Sequence, residues 1–283
     1  MWEGEERYHP LVAMGLAEVT GFEPNPEQFE VLARRHGPYR YFPVFVGDGG
    51  PATFHVTRYP GCASLLEPDP MMIDLFATIG TTPGANFHVV HSETVQTKRL
   101  DDFGPELVID LLKLDVQGSE LDILRHGTGK LSETVVIESE VEFVPIYKNQ
   151  ALFGDIQCFL SDHGFMLHKM IDVAGRPFRP VQLQNPFLPI SQMLWANAVF
   201  VRDFTKLERY TDEQLLKAAA ILDVVYGSYD LAALLLAEHD RRNQSGLQPR
   251  YLGSLVQRQI EVRFLNVQDH ESAKALRAAP RPL

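Results

Sequence analysis

The segment that most restricts what this chain can fold into is Leu107–Gly127, LVIDLLKLDVQGSELDILRHG. Leu107, Val108 and Ile109, then Leu111, Leu112 and Leu114, make a short apolar run that ends on Asp115. Such a run reads as a strand buried on both faces, as in a parallel sheet. Gly118 then permits a tight turn, and Ser119 is a good helix N-cap. Leu121 and Leu124, with Ile123 beside them, give the following helix an apolar face, and Gly127 stands where a C-cap glycine belongs. The order is strand, acidic tip, glycine turn, helix. In open α/β sheets ligands bind outside the carboxyl ends of the strands. Asp115 is therefore read as a site residue, with a helix-capping turn acid as the plainer alternative.

A second unit of the same kind lies upstream. Ala17–Glu23 reads as a short strand ending on an acid. Asn25-Pro26-Glu27-Gln28 is a strong helix start, with an N-cap, Pro at N1 and Gln at N3 for a capping-box contact. Phe29, Leu32 and Ala33 continue the helix and Gly37-Pro38 stops it. In mononucleotide folds a carboxylate at the tip of the second strand accepts hydrogen bonds from ribose hydroxyls, and Glu23 fits that role.

The remaining elements follow from periodicity. Residues 7–16 read as an amphipathic helix with Pro10 in its first turn. Residues 40–46 read as a strand before the Gly47-Asp48-Gly49-Gly50 turn. Ala52–Arg58 and Phe87–Thr97 alternate as antiparallel or edge strands. Thr134–Phe143 is a further strand in which Glu138, Glu140 and Glu142 share a face. Three acids on one buried face are costly, so its buried part is expected to end near Ile137, with the acids projecting beyond. Residues 151–163 read as a helix, and Phe165–Val173 and Leu194–Arg202 as two late strands joined by a proline-rich excursion. From about residue 205 the pattern is all helix. Thr211-x-x-Gln214 is a capping box, Ser228 opens a second helix, and a third is expected within 251–277. Residues 1–204 and 205–283 are read as a domain and a C-terminal helical extension.

Composition narrows the function. The net charge of −11 over 283 residues argues against a nucleic-acid surface. Cys62 and Cys158 have no metal-ligand spacing, which points to a reducing compartment without a disulfide framework. No apolar run approaches the roughly 18 residues of a membrane span, and the N-terminus carries no signal-peptide core. A cytoplasmic location is expected.

The sequence resembles the FkbM-type S-adenosylmethionine-dependent methyltransferases. The stretches that carry the resemblance are GFEPNPEQ (21–28), GCASLLEP (61–68), LLKLDVQGSELDIL (111–124), and VVIESEVEFVPIY with LFGDIQCFLSDHGF (135–165). LWANAVFVRD (194–203) is similar to the family's late strand. The resemblance implies a class I methyltransferase fold: a mostly parallel, Rossmann-like sheet of seven strands with helices on both faces and the final hairpin antiparallel. It implies S-adenosyl-L-methionine as cofactor and methyl transfer to an oxygen of a sugar or secondary metabolite. Glu23, flanked by Phe22 and Pro24, then matches the ribose acid. Gly47 and Asp48 match the loop near the adenine, and Asp115 and Gln117 the tip near the methionine end or the acceptor. A small-molecule or glycan acceptor is the expected partner.

One departure stands out. The family opens with a strand and a turn of the form Asp-x-Gly-Ala-Asn, and no strand precedes Gly4 here. The expectation is that the first strand is missing because Met1 stands for an internal methionine; a degenerate cofactor site is the competing account. A hydroxyl acceptor needs a general base. Asp115 and Glu138 are the chosen catalytic candidates, with Glu140, His9 and His91 weighed beside them. Asp115, Glu138 and Glu140 are also the place where a divalent cation would sit, although the reading is of no metal. A nucleotide-binding oxidoreductase lacks its required G-x-G-x-x-G here. A non-catalytic relative that binds a partner is the alternative function.

Overall fold

The computed structural model describes residues 6–185, 191–258 and 260. In chain order the helices and strands are α1 His9–Ala13, β1 Val19–Phe22, α2 Pro26–Ala33, β2 Tyr39–Phe42, β3 Phe45–Val46, β4 Pro51–Thr57, α3 Pro70–Ile73, β5 Val89–Lys98, β6 Leu111–Leu114, α4 Glu120–Arg125, α5 Thr128–Leu131, β7 Val136–Glu142, α6 Phe153–Asp162, β8 Phe165–Gly175, β9 Met193–Arg202, α7 Asp212–Val224, α8 Tyr229–Asn243 and α9 Leu247–Gln257.

The protein is α/β with mixed sheets. β1–β2, β3–β5 and β6–β7 run parallel, whereas β4–β5, β7–β9 and β8–β9 run antiparallel. The strands form a two-stranded sheet β1-β2, a three-stranded sheet β3-β5-β4 and a four-stranded sheet β6-β7-β9-β8. The strands thus lie in three sheets, of which β1-β2 is wholly parallel and the other two are mixed, and the expected antiparallel final hairpin is β8–β9. Among the described residues β1 pairs with β2 alone and β6 with β7 alone, so each keeps an open edge.

The four-stranded sheet is covered on both faces because its strands alternate. Ala198 and Phe200 of β9 point to the side of Leu121 and Leu124 from α4 and Ile156 and Leu160 from α6. Val199 and Val201 point to the other side, against Leu215, Leu222 and Leu235 from α7 and α8. A smaller core of Cys62, Ile73, Phe76, Phe87, Ile146, Tyr147 and Leu194 packs the 59–88 loops against the chain that leaves β7.

Several local expectations change. The strand read over 40–46 is broken at Pro43, which has no N–H to donate, and its halves join different sheets. β6 is only Leu111–Leu114, with Lys113 exposed at the open edge, so it is not buried on both faces. Gly127 is not a left-handed C-cap, since its φ is −130°. It is required by close approach: a Cβ there would lie 2.8 Å from Leu100 Cδ2 and 3.1 Å from the Ile123 carbonyl. Ser119 makes no capping bond, and Glu120 instead accepts N–H groups of the turn that precedes the helix. Asn25 does cap α2, accepting from the Glu27 and Gln28 N–H groups. The third C-terminal helix is α9, and the expected stretch after residue 260 lies outside the described residues.

The largest difference is at β7. The strand does not lose its burial at Ile137 but runs buried to Glu142, because β9 pairs with it along its whole length, from Val136 opposite Val201 to Glu142 opposite Trp195. Glu138 and Glu142 are each only 3% exposed. The three acids share one face and are tolerated because distant side chains meet them and because burial favours their neutral forms.

Candidate active site

The carboxyl end of β6 passes directly into the turn Asp115–Ser119. Gln117 sits there at φ +59° and Gly118 at φ +106°. Glycine adopts this backbone freely, but glutamine at positive φ is held there by its surroundings. Ser64 Oγ donates to the Gln117 carbonyl at 2.6 Å and itself accepts the Leu66 N–H at 2.9 Å. The GCASLLEP loop therefore clamps the turn. From the other side Glu120 reaches back, accepting the Val116 N–H at 2.9 Å and the Gly118 N–H at 3.0 Å.

The Gln117 carboxamide organises the acids around it. Its Nε2 donates to Asp115 Oδ1 at 2.9 Å and to Glu140 Oε2 at 2.8 Å. Its Oε1 accepts from the buried Tyr147 hydroxyl at 3.1 Å, which also lies 3.0 Å from the Cys62 carbonyl. Gln150 Oε1 in turn accepts the N–H groups of Ile146 and Tyr147 at 2.8 and 3.1 Å, fixing the backbone that carries the tyrosine.

Asp115 is exposed whereas the acids behind it are not. Burial pushes the Glu140 carboxyl well above the ordinary carboxylate range, and the Asp115 charge adds to that push. Burial does the same to Glu142, with Glu120 as the nearest like charge. Glu120 is pushed up to about 7 by burial, against the pull of the backbone N–H groups it accepts. Burial likewise raises the Tyr147 phenol.

Glu138 has a different environment. It lies opposite Lys113 in the β6–β7 register and accepts the Tyr226 hydroxyl at 2.8 Å. Burial raises its carboxyl while that hydrogen bond and Lys113 oppose the rise. The structure thus brings Asp115, Gln117 and Glu140 into one hydrogen-bonded group and ties Glu138 to the C-terminal helices. His9 is engaged by Arg35 and Tyr39, and His91 is exposed on β5. Among the described residues no group of three or more His, Cys, Asp or Glu side chains is arranged to hold a metal ion.

The expected cofactor residues lie at the ends of β1 and β3. Phe22 rings pack on Phe42 and Phe103, with centroids 5.9 and 4.9 Å away. Glu23 Oε1 accepts the Asn25 N–H at 2.8 Å, just after the half-buried Pro24. Gly47 is buried against Thr97, where a Cβ would come within 3.1 Å. Asp48 accepts the Gly50 N–H at 2.7 Å, which holds its carboxyl below the ordinary range. No hydrogen bond between described residues joins Glu23 or Asp48 to the Asp115 group.

Sequence reasoning passed over Ser64, Glu120, Tyr147 and Gln150, and placed Glu142 only on the acidic face of its strand. Of these only Glu120 carried a local signal, as an acid in the first turn after a glycine.

The family described as "Methyltransferase FkbM domain" matches residues 4–167. The 2-O-methyltransferase NoeI of Sinorhizobium fredii (strain NBRC 101917 / NGR234) is 30% identical over 146 residues, or 47% of this chain and 57% of that protein. The chain thus spans little more than half the length of that relative. No solved structure matches it significantly.

Proposed function

The chain belongs to the FkbM methyltransferase domain family, and from that premise we propose that it is an S-adenosylmethionine-dependent O-methyltransferase acting on a hydroxyl of a sugar or secondary metabolite. The observation that carries this reading is the acid-tipped turn after β6, inside the matched region, where Gln117 ties an exposed Asp115 to a buried Glu140. The likeness to a 2-O-methyltransferase favours oxygen as the acceptor atom.

The residues suit the cofactor in part. Glu23 is engaged only through Oε1, so a second carboxylate oxygen remains for ribose hydroxyls. Phe22 and Pro24 fix that acid at the end of β1, and Gly47 and Asp48 form the turn after β3. The carboxylates near Gln117 suit a sulfonium cation. A backbone turn for the methionine carboxylate is not among the described residues. We take residues 1–204 as the methyltransferase domain and residues 205–283 as a helical extension.

When bound, S-adenosylmethionine supplies a methyl carbon already activated by its sulfonium. The protein's part is alignment and proton removal. Asp115 is placed to take the hydroxyl proton, because it is exposed at a strand's end while Glu140 is closed in behind it.

One observation favours the non-catalytic reading. Among the described residues one cavity of about 190 Å³ is lined by residues such as Pro105, Lys130 and Glu133 and another of about 340 Å³ by Ala77, Arg179 and Gln182, and neither of these two takes in Glu23 or Asp115. Calorimetry with S-adenosylmethionine decides between the two. Binding that is lost in Glu23→Ala supports the enzyme, and absence of binding supports the partner-binding role.

A further inference from the structure

The interior side of the Gln117 turn holds more than a ring of acids. Ser119 Oγ, Glu142 Oε2 and Gln150 Nε2 are buried and have no hydrogen-bond partner. Their residues are 6%, 3% and 8% exposed. Ser119 closes the turn, a Cβ on Gly118 would lie 3.0 Å from Gln150 Nε2, and Gln150 also acts on the Glu142 carboxyl, opposing the rise that burial causes. Burying such atoms with their bonding incomplete costs stability.

We infer that Asp115 and Glu140 form one coupled carboxyl pair bridged by the Gln117 carboxamide, and that Tyr147 is a positioning residue that braces that carboxamide from its oxygen side. A carboxamide has one accepting and one donating end. Nε2 faces the acids, its two hydrogens going to Asp115 and Glu140, and Oε1 faces the Tyr147 hydroxyl, whose single proton is shared between Oε1 and the Cys62 carbonyl. Without that hydroxyl Oε1 has no donor, and the carboxamide is freer to turn its oxygen toward the acids, where an ionised carboxylate has no proton to give it. The charged and titratable groups facing the pair are Glu120 from α4, Glu142 from β7, Tyr147 from the chain after β7 and Cys62 from the 59–88 loops.

The inference deepens the methyl-transfer reading and rests on it for its chemistry. The acceptor O–H bond breaks and its proton goes to the Asp115 carboxylate. The oxygen's electron pair forms the new bond to the methyl carbon, and the pair of the broken C–S bond returns to sulfur. Gln117 and Tyr147 touch neither reactant in this scheme.

Carboxyl ¹³C NMR on the labelled protein tests the pair without cofactor or acceptor. Asp115→Asn removes the neighbouring charge, so the Glu140 titration is expected to move down by about one pH unit or more. Tyr147→Phe keeps the ring and is expected to move it up, as the directed donor is lost. Glu138→Gln is expected to leave it in place. A Glu140 signal that keeps its wild-type titration in Asp115→Asn, or in Tyr147→Phe, overturns the inference. Calorimetry with S-adenosylmethionine on the same samples separates the two levels: failure to bind sinks the methyl-transfer reading and leaves the NMR outcome to judge the pair.

Discussion

The two halves of the candidate site rest on very different foundations. The Asp115 group stands on the four-stranded sheet, where Val136, Ile137, Val141, Leu194, Ala198 and Val199 are each 0% exposed. Glu23 stands on the β1–β2 pair, where no residue is fully buried and where α2 also contributes none. β7 has partners on both sides and helices on both faces, whereas β1 has one partner and an open edge. A parallel strand with one neighbour leaves backbone groups to solvent and little apolar area to hold it. The Asp115 group is therefore preorganised by the fold, while Glu23 depends on a local turn and three aromatic rings.

The widest gap between the halves is expected in core truncations. Phe200→Ala removes a ring that is 1% exposed between α4, α6 and β7, and is expected to cost about 3–5 kcal/mol. Phe22→Ala removes a ring packed mainly on Phe42 and Phe103, and is expected to cost roughly half as much or less. Urea unfolding of both variants measures the difference. Equal losses would mean that β1 shares the main core after all.

A second effect belongs only to the β6–β7 half. Carboxyls whose native pKa is raised hold their protons longer folded than unfolded. Their contribution is full below the unfolded value, about 4.3 for a glutamate, and is lost as pH rises through the folded one. For Glu120, pushed up to about 7 by burial, stability should fall between about pH 4 and 7. Each unit of separation is worth about 1.4 kcal/mol, so the loss approaches roughly 3 kcal/mol. Glu120→Gln should flatten that slope in a series of denaturation midpoints against pH. A slope that survives the substitution would assign it to Glu140 and Glu142 instead.

These contrasts also explain what the sequence made legible. The turn after β6 was readable because every part of it is local: the apolar run, Asp115, Gly118 and the spacing of Leu121 and Leu124. The start at Asn25-Pro26 was readable for the same reason. The buried acids of β7 were not, since their tolerance comes from Trp195–Val201 in β9, from Tyr226 in the extension and from the Gln117 carboxamide. Tyr147 and Gln150 look like ordinary loop residues until the chain after β7 folds back on the 59–88 loops. Separation in sequence, rather than weak chemistry, hid them. The antiparallel character of β4 and β5 was legible in their alternation, but the pairing of β3 with β5 was not, because the partners lie dozens of residues apart.

Glu23→Ala probes the weaker half through binding rather than folding. Among the described residues its carboxylate accepts only the Asn25 N–H, and its backbone bond to the Phe42 carbonyl survives the substitution, so thermal stability should change little. Affinity for S-adenosylmethionine should fall at least tenfold, or about 1.4 kcal/mol, when the acceptor of two ribose hydroxyls is lost. Calorimetry reads this directly. An unchanged dissociation constant with the fold intact would remove Glu23 from the cofactor site.

The smallest effect tests whether the C-terminal helices belong to the stronger half. Thr211 caps α7 by accepting the Gln214 N–H at 3.1 Å, and Gln214 Oε1 accepts the Thr211 N–H at 3.0 Å. Thr211→Ala breaks this reciprocal pair and is expected to cost about 1 kcal/mol. What matters is how the loss appears. Leu215 and Leu222 of α7 pack in one cluster with Val136, Val199 and Val201 of the sheet, and the Lys169 ammonium donates to the Tyr226 carbonyl at 2.7 Å. A shared core unfolds as a unit, so the whole transition should move by that amount with its slope against urea unchanged. A variant in which an early, shallow transition separates from an unmoved main one would show that the extension folds apart from the sheet. In that case the Tyr226–Glu138 bond would be a docking contact between two independently stable parts.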